Sequence, residues 1–284
     1  MKRGCVIGYD INEKGCQISY YDDSMEEPDT MMASSNNYLI PLVLGYFKDR
    51  WVFGKEAKRL AVVGEDCTET DLYGKAKRRE KVSLAGKTYD AVWLLAKYIS
   101  LTLQDFENIQ YLTFTTPETD VDMAKMLKGI GQHIGVDKEI INVQDYKESF
   151  CQYMIFQPKE LWQYESALFY CDDDRIKAYM LRRLRVDASH GMNSFVTVDE
   201  VANAQRKELE ALYPIMNKEK SPDESFKSMI ENVFEKKVIS SVYLTGEGFE
   251  KNWYPNSLRV LCNGRRAFMG NNLYSKGACY KSIR

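Results

Sequence analysis

The sequence predicts an α/β protein made of two halves that share one element order. Three observations carry this reading. Residues 3–21 (RGCVIGYDINEKGCQISYY) hold an apolar run ending in Asp10, a tight polar turn and a second β-rich run. The pattern returns at residues 166–182 (SALFYCDDDRIKAYMLR), where the apolar run ends in Asp172. After each hairpin, strand-like runs alternate with segments of helical periodicity, the pattern of α/β layers around a largely parallel sheet core. The halves share architecture and little residue identity.

In the first half, Val6, Ile7, Ile18 and Tyr20 favour strands near 3–9 and 15–21. Residues 22–37, acidic and then rich in Ser and Asn, read as a loop. Residues 38–46 and 50–53 read as two strands, and 55–63 as a short helix. Residues 64–86 are charged and irregular with a strand at 81–84, so about 46–86 reads as a small inserted subdomain. A stripe of Ala91, Leu94, Leu95, Tyr98, Ile99 and Thr102 predicts a helix within 87–106. A buried strand at 109–115 stops before Pro117, and a helix over 120–134 stops at Gly135. A strand over 139–143 and a helix from Asp145 to Phe156 complete this half.

In the second half, strands are predicted near 167–171, 175–182 and 194–198, and a helix over 199–212. Ser221-Pro222-Asp223-Glu224 combines a cap, an early proline and acids at the positive end of the helix dipole, so it starts a helix that reaches about 237. A strand at 238–244, a short helix after Gly246, a strand at 258–262 and a terminal helix over 272–282 follow. The implied domains are 1–165 and 166–284, with the terminal helix packing near their junction.

Composition narrows the partners. The chain has 284 residues, 44% hydrophobic, enough for one large or two medium domains. A net charge of −2 excludes a strong basic field for nucleic acid or an anionic membrane. The basic runs Lys75–Lys81 and Arg182–Arg185 read as solvated faces, with binding patches as the alternative. Seven scattered cysteines without a C-x-x-C pair, and two isolated histidines, His133 and His190, argue against structural zinc. They suggest reduced thiols in a cytoplasm. No apolar run approaches the roughly 18 residues of a membrane helix. No G-x-S-x-G, H-E-x-x-H or G-x-x-x-x-G-K-[ST] motif occurs. The aromatic stretch 150–164 reads as packing between the halves or as an interaction surface.

The duplicated order, with these motifs at these places, resembles the actin, sugar-kinase and heat-shock-chaperone ATPase superfamily over most of the chain. The run Val242–Tyr280 (VYLTGEGF…RRAFMGNNLYSKGACY) also looks like a bacterial actin-like group of unknown function. The resemblance implies a ribonuclease-H-like fold in each half, with ATP and Mg²⁺ in a cleft between them. The first hairpin stands at the first phosphate loop, usually D-x-G-[ST]-x-x. Asp10 matches its metal-holding acid, and Asn12 takes the glycine place, where Asn tolerates left-handed backbone. Glu13 replaces the hydroxyl residue and would repel a phosphate, which Lys14 could offset as a phosphate cation. A plain polar hairpin turn is the other reading.

The second hairpin stands at D-x-G-x-G-T, where Asp172-Asp173-Asp174-Arg175 keeps the acid, a second metal candidate, and has no glycine. A solvated acidic turn is the other reading there. Asp145 aligns with the residue that orients the attacking water, which with Asp10 gives the implied catalytic pair. Asp145 also suits a helix N-cap. Thr245-Gly246-Glu247-Gly248-Phe249 stands where a glycine-rich turn holds adenosine, with Gly246, Glu247 and Gly248 as the candidates. Ser275-Lys276-Gly277-Ala278-Cys279 resembles a crossing segment whose Gly-Ala pair lets two helices approach.

The resemblance implies a degenerate ATP-binding protein, a nucleotide-linked switch or scaffold with weak or no hydrolysis because the second loop lacks its glycines. The alternative is a nucleotide-independent pseudo-ATPase scaffold for protein partners or for self-association. A small-molecule kinase of the same superfamily is a third reading. The short insert between the second hairpin and Gly246 leaves little material for a substrate lid.

Overall fold

Strand β1 (Cys5–Ile11) sits at the centre of the first sheet and is buried on both faces, as its run of Val6, Ile7, Tyr9 and Ile11 requires. The computed structural model describes residues 4–35, 37–63, 67–172, 175–188, 191–205 and 221–283. It is mixed α/β, with several mixed sheets flanked by helices. Contacts divide the chain into two compact units, residues 1–153 with 274–284, and residues 154–273.

In the first unit, β1 is followed by β2 (Gly15–Tyr21), β3 (Asp29–Thr30), β4 (Ile40–Pro41), β5 (Leu44–Phe47) and β6 (Arg50–Phe53). Helix α1 (Gly54–Val63), β7 (Thr68–Glu69), α2 (Leu72–Lys77), β8 (Lys81–Leu84) and β9 (Lys87–Asp90) come next. Then come α3 (Ala91–Thr102), β10 (Ile109–Thr116), α4 (Val121–His133), β11 (Ile141–Asp145) and α5 (Tyr146–Ile155). The second unit holds β12 (Glu165–Cys171), β13 (Arg175–Ala188), β14 (Gly191–Gln205) and α6 (Pro222–Phe234). It continues with β15 (Ile239–Thr245), α7 (Pro255–Leu261) and β16 (Arg266–Met269), and α8 (Leu273–Tyr280) ends the chain's regular structure.

The main path of the first sheet is β3-β2-β1-β10-β11, with β4 also on β2. Strands β3, β2 and β1 are antiparallel, and β1, β10 and β11 are parallel. The sheet of the second unit runs β14-β13-β12-β15-β16 with the same senses, antiparallel up to β12 and parallel from β12 to β16. Both sheets therefore follow one strand order. Smaller sheets, β6-β5-β7 and β8-β9, lie between the first hairpin and α3.

Each unit has its own core. Ile7, Tyr9, Ile11 and Ile18 meet Leu94, Leu95, Tyr98 and Ile99 of α3, the stripe that its periodicity marks. In the second unit, Phe169 meets Phe226 of α6 edge to face, with ring centroids 5.4 Å apart. Helix starts follow local chemistry. Asp90 accepts from the Val92 and Trp93 amides, Asp120 from Met123, and Ser221 from Glu224. Gly277 of α8 lies against α5, where a Cβ would run into the Ser149 carbonyl. Among the described residues, no helix is long and apolar enough to cross a membrane.

Several elements differ from their expected form. Residues 87–90 are strand β9, because the Asp90 cap delays the helix to Ala91. The expected helix over 199–212 is strand as far as Gln205. Strand β13 offers a backbone partner along that whole stretch, from Tyr179↔Glu200 to Arg175↔Gln205. The rest of that expected helix, 206–212, lies outside the described residues. The expected strand at 258–262 is helical. The Asp223 carboxylate accepts from the Asn256 and Ser257 amides, 2.7 and 2.8 Å away, and starts α7 behind Pro255. Strand β16 takes the place beside β15 instead. The irregular stretch 64–86 carries α2 and β7, and the loop 22–37 carries the short β3.

Candidate functional site

Asp10 stands near the carboxyl end of β1, level with Thr115 of β10. Strand β11 ends one strand further, with Asp145 level with Thr116. The parallel register thus brings the ends of three strands, and the start of α5, to one edge. Asp10 is buried, 4% exposed, and its Oδ1 accepts the Tyr146 hydroxyl at 2.8 Å. The same hydroxyl oxygen accepts from Asn12 Nδ2 at 3.1 Å. Tyr146 stacks on Tyr274, ring centroids 3.6 Å apart and 6° from parallel. Burial pushes the Asp10 carboxyl up to about 7, against the pull of the Tyr146 bond toward the ionised form.

Asn12 closes the hairpin turn. Its Oδ1 accepts the backbone N–H groups of Lys14 at 2.9 Å and Gly15 at 3.2 Å, and its own N–H donates to the Gly15 carbonyl at 3.0 Å. This is the local Asx chemistry that makes Asn a turn residue. The Lys14 carbonyl accepts from the Leu42 amide, which ties the turn to the chain beyond β4.

Asp145 caps α5: its Oδ1 accepts the Glu148 amide at 2.9 Å, and Oδ2 lies 3.6 Å from Lys147 Nζ. Behind it, Gln144 Nε2 donates to the Ser149 hydroxyl at 2.7 Å, and Ser149 meets Thr115 Oγ1 at 2.7 Å. Thr116 Oγ1 meets the Tyr73 hydroxyl at 2.6 Å. These groups are buried, and the polar network they form leaves the Gln144 Oε1 without a hydrogen-bond partner.

In the second unit, Asp172 closes its own turn. Its Oδ1 accepts the Arg175 amide at 2.7 Å, and its N–H donates to the Arg175 carbonyl at 3.1 Å. Asp173 and Asp174 lie outside the described residues. The register Tyr170↔Thr245 puts the turn after β15 beside the end of β12. Gly246, at φ 92°, has no room for a side chain, since a Cβ there would meet the Cys171 carbonyl oxygen. A Cβ on Gly248 would meet Cys171 Sγ. Glu247 is exposed and opens the one-turn 3₁₀ segment Glu247–Phe249.

The first unit therefore brings Asp10, Asn12 and Lys14 to one hairpin, with Asp145 two strands away. The second brings Asp172 to Gly246, Glu247 and Gly248. A phosphate at either turn would have to compete for its donors. The Lys14, Gly15 and Arg175 amides that could meet its oxygens are engaged internally, and Glu13 adds a negative charge. Among the described residues, no group of three or more His, Cys, Asp and Glu side chains could hold a metal ion. Tyr146, Gln144, Thr115 and Ser149 escape sequence reasoning. Only the registers of β10 against β1 and of β11 against β10 together carry residue 146 to residue 10.

These features define a mixed α/β protein with an acid at the leading hairpin of each unit. The chain belongs to the family of unknown function DUF5716, whose C-terminal model matches residues 27–284. The matched region begins after the Asp10 hairpin and includes Asp145, Asp172 and Gly246–Gly248. Comparison with curated proteins returns no match.

Proposed function

We propose that this chain is a degenerate protein of the actin, sugar-kinase and heat-shock-chaperone ATPase superfamily. In this reading it has a duplicated ribonuclease-H-like fold and serves as a scaffold for protein partners, with weak or no hydrolysis of ATP. The common strand order of the two sheets supports the fold, as does an acid at the leading hairpin of each. No disulfide joins the described cysteines, in keeping with a reducing cytoplasm.

The observation that carries the function is the side chain of Asn12. It occupies the amides of Lys14 and Gly15, so a phosphate at this turn must first displace it. Asp145 is engaged in the same way with the amide of Glu148. In this reading the positions implied for ATP and Mg²⁺ serve the fold.

A nucleotide-linked switch is the second reading. It draws on the place of Asp10 at the carboxyl ends of parallel strands, where α/β sheets bind ligands. Thermal unfolding with millimolar ATP, ADP and GTP, each with and without Mg²⁺, separates the two, because a ligand of the native state raises its melting temperature. The scaffold reading expects no shift, no phosphate release above background, and association with a partner or a second copy that nucleotide leaves unchanged. A shift with ATP and Mg²⁺ that Asp10→Ala abolishes would establish the switch in its place.

A further inference from the structure

Strands β13 and β14 run on beyond the sheet that holds them. Strand β12 pairs with β13 only from Ile176 to Leu181. From Arg182↔Thr197 to Ala188↔Gly191, β13 and β14 have only each other among the described residues. A two-stranded ribbon is marginal in water without a third strand or a covered face. This one turns an apolar pair to solvent. Leu184 and Phe195 stand directly opposite each other and are 47% and 55% exposed.

Strand β14, 15 residues long, is the edge of its sheet, with one partner strand among the described residues. The outward backbone groups of such an edge are a template for another strand, and natural edges are blunted by short length, Lys, Pro or a bulge. Residues 191–200 (GMNSFVTVDE) hold no Lys and no Pro. The register shift of β14 comes only at Val201, between the Tyr179↔Glu200 and Ala178↔Ala202 pairs. Charge pattern selects the occupant. The charges of this stretch, Asp199 and Glu200, both lie at one end. When two copies lie antiparallel about a two-fold axis at Phe195, Phe195 meets Phe195 of the second copy. Val196 then meets Ser194, Thr197 meets Asn193, Val198 meets Met192 and Asp199 meets Gly191. Like charges never face each other, and Leu184 and Phe195 of both copies line up as one apolar row across four strands. An axis at Thr197 would set Asp199 against Phe195, and one at Asp199 would oppose acid to acid.

We propose that the β14 edge pairs antiparallel with the same edge of a second copy of this chain, about a two-fold axis at Phe195. The interface is isologous, so each copy supplies the strand and the apolar pair that the other lacks. This builds on the scaffold reading and names its partner. The strands involved lie wholly in the second unit.

Sedimentation velocity on the intact chain, from about 1 μM to about 1 mM, covers the affinities of a small interface. The expected result is a reversible monomer–dimer equilibrium. Phe195→Lys and Phe195→Glu each place like charges at the axis and should weaken the dimer about a hundredfold or more. Mixing the two variants sets Lys against Glu and should restore dimers that neither forms alone. Phe195 is exposed, so both variants should keep the wild-type fold, which circular dichroism checks. A chain that stays monomeric throughout, a dimer that Phe195→Lys leaves intact, or a mixture that stays monomeric would each overturn the proposal. None of these outcomes depends on nucleotide, so thermal unfolding with ATP and Mg²⁺ tests the scaffold reading separately.

Discussion

The Tyr146 hydroxyl meets Asp10 Oδ1 at 2.8 Å, joining residues 136 apart in sequence and tying the start of α5 to the end of β1. That bond favours the ionised acid, while burial opposes it and pushes the carboxyl from 3.8 up to about 7. An acid whose folded value lies above its unfolded one holds its proton longer in the native state. Its stabilising contribution is complete below about pH 4 and falls away as the pH rises to about 7. At 1.36 kcal/mol per unit the whole effect is about 4 kcal/mol. Asp10→Asn keeps a neutral partner for Tyr146 and removes the titration. Denaturant unfolding from pH 4 to 8 should show wild type losing stability relative to this variant as the pH rises.

Tyr146→Phe tests the other side of the bond. It leaves the ionised Asp10 without its donor, and it takes from Asn12 Nδ2 the oxygen it now donates to. Hydrogen bonds to charged groups are worth about 1.5–3 kcal/mol, neutral ones less. The variant should therefore be destabilised more at pH 8 than at pH 5, as read by urea midpoints at the two values. An equal loss at both would mean that the proton on Asp10 is indifferent to Tyr146.

Glycines in two helices should respond with opposite signs. Gly129 of α4 has no atom within 4 Å of a Cβ, so Gly129→Ala should gain about 0.5–1 kcal/mol from helix propensity. Gly277→Ala carries the same gain, but its Cβ meets the Ser149 backbone, which cannot rotate aside. Overpacking of this kind costs about 1–3 kcal/mol or more, so the loss wins. Differential scanning calorimetry should find the first variant melting above wild type and the second below.

Much of this fold is legible from local chemistry. The β1–β2 hairpin, the caps at Asp120 and Ser221 and the α3 stripe each follow from residues within one turn or one strand. The misread elements depend on partners far away. Residues 199–205 are a strand because β13 lies beside them, and α7 starts where Asp223, more than thirty residues earlier, supplies its cap. The site divides the same way. Asp10, Asn12 and Asp145 stand out as polar residues at strand ends, and the capping role of Asp145 is readable from its place before a helix. Tyr146 is invisible as the partner of Asp10, because only a parallel sheet register brings the two together.

Gly248 and Cys171 should be coupled. A Cβ on Gly248 strikes Cys171 Sγ, whereas Cys171→Ala removes that atom. Each single substitution should destabilise, the cysteine change by loss of a fully buried thiol. The double variant should be more stable than the sum of the two predicts, by about 0.5–3 kcal/mol, the range for residues in contact. Additive losses in a double-mutant cycle would mean that the backbone, not the thiol, sets the glycine requirement.

Asn12→Gly addresses the proposed function directly. Glycine keeps the turn's backbone freedom and releases the Lys14 and Gly15 amides that Asn12 Oδ1 now occupies. It also frees the Tyr146 hydroxyl from Asn12. Three lost hydrogen bonds should lower stability by about 1.5–4.5 kcal/mol in the absence of nucleotide. If Asn12 is what closes the loop to phosphate, the variant should acquire a rise in melting temperature with ATP and Mg²⁺ that wild type lacks. Asp10→Ala in the same background should remove it. A variant that is merely less stable, with no response to nucleotide, would mean that Glu13 or the shape of the turn excludes phosphate independently of Asn12.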